Sequence, residues 1–184
     1  ILLAHSMGGN IGLQYLHRAP DVFDRAVMVS PMFGINTVPL PRKWVRRLVS
    51  KAVDAGFSDR YIPGAGDYRP GRHCFAGNDL TSDPERFFEE HRQIRKNPDL
   101  ALGGVTFGWL AAAFDAIEQI DSPGFAEAVD TPILLVSGSR DRVVDQKAHA
   151  RICRRLPFCR FLKIQDARHE ILKEIDTVRR QFWH

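Results

Sequence analysis

Long apolar runs are missing from this sequence. No stretch approaches the roughly 20 residues that a helix needs to cross a bilayer, which excludes a helical membrane-spanning protein. The first residues also lack a basic lead-in and a small-residue cleavage site, so nothing resembles a signal peptide. Cysteine is scarce: Cys74, Cys153 and Cys159 are an odd number at no zinc-like spacing. They are expected to be reduced thiols in a cytosolic-type compartment. Charge of one sign is not dominant either, the formal net charge being +4. Its densest run, PRKWVRRLVSK, carries Arg42, Lys43, Arg46, Arg47 and Lys51. It reads as a solvated helix face, with an anionic membrane surface as the alternative partner for peripheral contact. No nucleic-acid motif accompanies it, so no nucleic-acid partner is expected. Internal repeats and low-complexity tracts are absent.

What is present is an ordinary globular composition, 44% hydrophobic and 26% charged over 184 residues, enough for one core and an insertion. The first residue is Ile and already belongs to an apolar run. The chain is therefore expected to be a piece that begins inside a strand.

ILLAH reads as the end of a buried strand, followed by Ser6 and a helix over about 8–17 that stops before Pro20. Gly8, Gly9 and Gly12 are poor helix formers, which makes sense if this helix packs very close to a strand. RAVMVS is a second strand. Proline and glycine then concentrate over 32–130, where helices are predicted at 43–55, 84–97 and 105–120. The buried-strand pattern returns at 132–137, followed by a helix over 146–156 with Asp145 as its N-cap. A last strand is expected at 160–164 and a terminal helix from about Ile171. Strands alternating with helices imply a parallel α/β sheet. Residues 1–31 and 131–184 would form it, and 32–130 would be a mostly helical insertion, the kind of segment that serves as a lid or cap.

A serine on a sharp strand-to-helix turn exposes its hydroxyl above the sheet and needs small residues around it. Ser6 stands two residues from Ala4 and two from Gly8, and the Met7 N–H at the helix start would point at a developing oxyanion. Such a nucleophile needs a base, and the base needs an orienting carboxylate. His169 follows the strand RFLKI, and Asp141 follows ILLVS, both where a parallel sheet delivers ligand-binding groups. Asp145 and Asp166 compete with Asp141 for the carboxylate role, although Asp145 has a job as helix cap and Asp166 lies toward the strand end.

Other residues have plainer readings. His5, adjacent to Ser6, points elsewhere on the turn and is expected to be structural. His17, His73, His91 and His149 read as surface histidines, and His184 as a fraying end. HEILKE fails the HExxH zinc pattern because Lys173 stands in the fifth position, so no metal is expected. Glu170 would instead help start the terminal helix. Phe33, Trp44, Phe75, Phe107 and Trp109 read as core of the insertion.

HSMGG, GSRDRVVD and ARHEILKE, in that order, resemble the nucleophile, acid and histidine segments of the lysophospholipase and monoacylglycerol-lipase-like α/β-hydrolases, also grouped as serine-aminopeptidase-type hydrolases. FAGNDLTSDPERF and GGVTFGWLAAAF resemble the cap region of bacterial members. The resemblance covers nearly the whole chain and implies the C-terminal part of an α/β-hydrolase fold. It makes Ser6 the nucleophile, His169 the general base and Asp141 its orienter, with Met7 supplying one oxyanion N–H. Ala4 replaces the usual first glycine. The family's early strands, and the His-Gly loop that supplies the second oxyanion N–H, have no counterpart in these 184 residues. The implied activity is cleavage of an ester or lipid carrying an acyl chain, without cofactor or metal. An aminopeptidase and a non-catalytic relative used as a binding module are the alternatives. The oligomeric state is not indicated.

Overall fold

The computed structural model describes residues 1–37, 39–71 and 74–183. His73 and His184 lie outside the described residues. Two compact units are present. The first comprises Ile1–Asn36, Asp79–Asp83 and Ala116–His184, and the second Thr37–Asn78 and Pro84–Asp115.

The first unit is built on four parallel strands in the order β1 (Leu2–His5), β2 (Ala26–Val29), β3 (Ile133–Gly138) and β4 (Cys159–Ile164). Side chains alternate between the faces of a strand. Ala26, Met28, Ile133 and Leu135 join one apolar cluster, while Val29 and Val136 join the other, with Val27 and Leu134 packed against it. A sheet covered on both faces explains why β2 and β3 read as unbroken apolar runs. Helix α1 (Met7–Arg18) covers the first face through Leu13 and Leu16, and a later helix, over Gln146–Arg155, covers it through Ala148 and Ile152. Phe33, Ile120, Phe125 and Val129 belong to the same cluster.

The second unit holds α2 (Arg42–Asp54), α3 (Pro84–Lys96) and the first turns of α4 (Phe107–Asp121). Phe87, Ile94, Leu110 and Phe114 are buried. Arg46 pairs with Asp115, and the Arg42 guanidinium lies 5.8 Å from the centre of the Phe114 ring. Lys43, Arg47 and Lys51 are exposed. Trp44 and Trp109, expected in the core, are exposed instead, and Phe75 and Phe107 are half-buried. On α2 the inward stripe is Val45, Val49 and Val53, so Trp44 and Leu48 fall one position off it and face outward.

Helix α5 (Gln146–Arg155) begins as the sequence suggests, the Asp145 carboxylate accepting from the Lys147 N–H at 2.9 Å. The cysteine expectation is corrected: Cys153 and Cys159 form a disulfide, and Cys74 is free and exposed. Cys153 sits in the last turn of α5 and Cys159 opens β4, which brings their Cα atoms to 5.4 Å. The terminal helix is corrected too. Only a single 3-10 turn forms at Ile171–Lys173, and α6 (Asp176–Trp183) starts five residues later than expected. Glu174, whose carboxylate is engaged elsewhere as described below, has extended backbone and ends that turn. Glu170 therefore caps no α-helix and lies 4.0 Å from His5 Nδ1. Among the described residues no helix is long and apolar enough to cross a membrane.

Candidate active site

β1 delivers the chain to Ser6 and α1 carries it away. Making that corner places Ser6 at φ 52° and ψ −120°, a region that costs a non-glycine residue on the order of 1–3 kcal/mol. The corner is held by its backbone. Ser6 N–H donates to Val29 O at 3.0 Å, and Ser6 O accepts from Gly9 N–H at 2.9 Å and Met32 N–H at 2.8 Å. Close packing falls on Gly9 and Gly12 rather than on Gly8. A Cβ on Gly9 would lie 2.5 Å from Pro31 Cβ, and one on Gly12 would lie 3.2 Å from Leu2 Cδ2, while one on Gly8 meets nothing within 4 Å. Met7 opens α1, where the first N–H groups of a helix have no intrahelical acceptor and the dipole is positive.

Ser6, His169 and Asp141 are brought together. His169 Nδ1–H donates to Asp141 Oδ2 at 2.8 Å, and Nε2, left unprotonated, accepts the Ser6 hydroxyl at 2.9 Å. The tautomer follows from the partners, since a carboxylate can only accept. Asp141 and His169 are each 4% exposed. Burial pushes the Asp141 carboxyl up. His169, by hydrogen bond and charge, and the N–H groups of Val143 and Val144 outweigh burial and hold its pKa below the ordinary carboxylate value. The competing carboxylates are engaged elsewhere: Asp145 caps α5, and Asp166, at φ 61°, is exposed and pairs with Arg140 at 2.6 Å. His5 donates from Nε2 to His169 O at 3.3 Å, with ring centres 4.9 Å apart.

Three polar residues that the sequence reading passed over or misread support this end of the sheet. Asn10, 1% exposed on the inner face of α1, donates from Nδ2 to Met32 O at 3.0 Å. Its signal was an amide among the small and apolar residues of the helical pattern GGNIGLQ. Glu174 binds the loop that carries His169. His149 corrects a surface expectation, being fully buried: Ser137 Oγ–H donates to Nδ1 at 2.8 Å, and Nε2–H donates to Pro31 O at 2.7 Å. His17 is corrected as well, half-buried and stacked on Phe125 at 4.2 Å, and His91 is half-buried against Tyr68. Among the described residues no group of three or more His, Cys, Asp and Glu could hold a metal ion.

Burial lowers the His149 pKa below 6.5 despite the Pro31 carbonyl and the charges of Asp141 and Asp145, so the ring is neutral in the fold. An unfolded chain takes up a proton at His149 that the fold refuses. Its contribution to stability is thus complete above the ordinary imidazole value and is lost as pH falls below it. His149→Gln is expected to flatten that part of the acid dependence, read as a smaller drop in urea midpoint between pH 7.5 and 5.5. An unchanged drop would assign the acid sensitivity to other groups.

Residues 1–176 match the family described as serine aminopeptidase, S33. The chain is 35% identical over 186 residues to lysophospholipase L2 of Escherichia coli (strain K12), covering 97% of this chain and 53% of that protein. It thus spans about half the length of the curated relatives it matches. Among solved structures it resembles a soluble variant of monoglyceride lipase from Saccharomyces cerevisiae in complex with a substrate analog (TM-score 0.71, 19% identity, 98% of this chain and 60% of that one). It also resembles the Paleococcus ferrophilus monoacylglycerol lipase (TM-score 0.69, 20% identity, 99% and 66%). Those likenesses give the fold, and the match over residues 1–176 gives the family: the chain belongs to the serine aminopeptidase S33 family of α/β-hydrolases.

Proposed function

We propose that the protein is a serine ester hydrolase acting on a single-acyl lipid, a lysophospholipid first and a monoacylglycerol second. The observation that carries this reading is the unbroken hydrogen-bond chain from Ser6 Oγ through His169 to Asp141. The choice of substrate rests on the named relatives alone.

In this mechanism His169 Nε2 takes the Ser6 proton as Oγ attacks the ester carbonyl, and Asp141 stabilises the imidazolium that forms. The Met7 N–H, at the positive end of α1, meets the oxyanion. Collapse breaks the ester bond, and the alcohol leaves with the proton held by His169. A water then gives its proton to His169 and attacks the acyl-serine, which releases the fatty acid and restores Ser6. The chain between β2 and β3 that forms the second unit is the segment we assign to acyl-chain selection.

Treating the full-length protein with a fluorophosphonate and mapping the adduct by peptide mass tests the mechanism. A single adduct on Ser6, absent from Ser6→Ala, is expected. No adduct, or one on another residue, would overturn the reading. Turnover of a lysophospholipid, a monoacylglycerol and an aminoacyl amide side by side then ranks the substrates, and preference for the amide would favour the aminopeptidase reading instead.

A further inference from the structure

We infer that Glu174 is a positioning residue: it locks the loop carrying His169 to the strap Asp79–Asp83, and so sets the imidazole between Ser6 and Asp141. The inference rests on the hydrolase reading above.

Glu174 is fully buried, although a lone carboxylate in such a place is costly unless its oxygens are satisfied. Here they are. Oε1 accepts from the Arg168 N–H at 2.8 Å, and Oε2 accepts from the Ser82 N–H at 2.9 Å and from the Ser82 hydroxyl. One of these donors is the backbone of the residue just before His169. The strap binds the same loop at further points: His169 N–H donates to Asp79 O at 3.3 Å, Glu170 N–H to Leu80 O at 2.8 Å, Arg168 Nη1 to Thr81 O at 2.8 Å and Thr81 Oγ1 to Lys173 O at 2.7 Å. Both are irregular backbone, the loop running from the end of β4 to a single 3-10 turn, so no ladder or helix fixes His169. Glu174 joins the two with a buried charge, and hydrogen bonds to a charged acceptor are about twice as strong as neutral ones. A carboxylate also suits this place in a way that no amide does, because the Arg168 N–H, the Ser82 N–H and the Ser82 hydroxyl all donate to it.

Glu174→Gln keeps the shape but turns one oxygen into an NH2 facing a donor. Misplacement of a reacting group by about 1 Å costs on the order of 100-fold in rate. Three readouts are compared in the full-length protein: the rate of fluorophosphonate labelling at Ser6, the thermal midpoint, and the downfield proton resonance of His169 Nδ1–H, identified by its absence from His169→Gln. Arg155→Ala serves as the destabilised control, since it removes a distant network with Asp121 and Glu127. In Glu174→Gln, labelling is expected to slow about 10- to 100-fold, with the resonance broadened or lost. Arg155→Ala is expected to lower the thermal midpoint while keeping both labelling and resonance. Ser82→Ala, which deletes one donor and leaves the carboxylate, is expected to slow labelling by a smaller factor and serves if Glu174→Gln does not fold. Parental labelling and an intact resonance in the folded Glu174 or Ser82 variant would overturn the inference alone. So would equal slowing in Arg155→Ala. Failure of the parent protein to label at Ser6 would instead overturn the hydrolase reading, and this inference with it.

Discussion

Asp141→Asn is expected to slow acylation of Ser6 by about 10⁴-fold while leaving the fold intact. The reason lies in which atom carries the imidazole proton. With a carboxylate at 2.8 Å, Nδ1 must donate, and Nε2 is free to accept from Ser6. An Asn amide held in place by the N–H groups of Val143 and Val144 keeps its oxygen on them and turns its NH2 toward His169. Nδ1 then becomes the acceptor, Nε2 carries the proton, and the ring can no longer take one from serine. A 10⁴-fold loss corresponds to about 5 kcal/mol of barrier. Stability should change by no more than about 1 kcal/mol, because a neutral amide is cheaper to bury than a charge and both backbone donors stay paired. Fluorophosphonate labelling rates together with urea midpoints check both halves. A loss under tenfold would mean that Asp141 does not hold the tautomer.

Gly9→Ala is expected to be the most damaging methyl group added to this end of the sheet, and Gly8→Ala one of the most harmless. On Gly9 the new carbon would meet Pro31 Cβ at 2.5 Å and Pro31 Cα at 2.9 Å, so backbone has to move. Pro31 cannot yield easily. Its carbonyl is held by buried His149, and the next residue, Met32, donates to Ser6 O. Overpacking of this kind costs about 1–3 kcal/mol, and the displacement is passed directly to the Ser6 corner. Gly8→Ala meets nothing within 4 Å and gains helix propensity of up to about 1 kcal/mol. Thermal midpoints of the two variants should therefore move in opposite directions. Equal midpoints would mean that the approach of α1 to Pro31 is looser than described.

The sheet could be read from the sequence because β2 and β3 are buried on both faces and spell out continuous apolar runs. Asp145 was legible as a helix cap because capping is local, its acceptor lying two residues from its donor. The order Ser6, Asp141, His169 pointed to a constellation because a parallel sheet delivers the ends of its strands to one edge. What stayed hidden depends on partners far away in sequence. His149 looks like a surface residue on a charged helix until Ser137 and Pro31, 12 and 118 positions away, come to either side of it. Glu174 fits the helical pattern of HEILKE, and its buried role shows only when Ser82, 92 positions upstream, comes to its carboxylate. Trp44 misled for a different reason. Two apolar stripes run side by side along α2, and the pattern alone does not say which one is covered.

Under our assignment of the second unit to acyl-chain selection, the strap has a consequence for anyone wishing to change what this protein acts on. The second unit is not one continuous stretch of chain. Its two pieces, Thr37–Asn78 and Pro84–Asp115, are separated by five residues that belong to the first unit and are tied to the histidine loop. A graft that replaced everything from 37 to 115 in one block would import a foreign strap and leave Arg168 and Glu174 without Ser82. The region should instead be exchanged as two cassettes, with Asp79–Asp83 kept native between them, so that a new specificity can be installed without detuning the histidine that has to serve it.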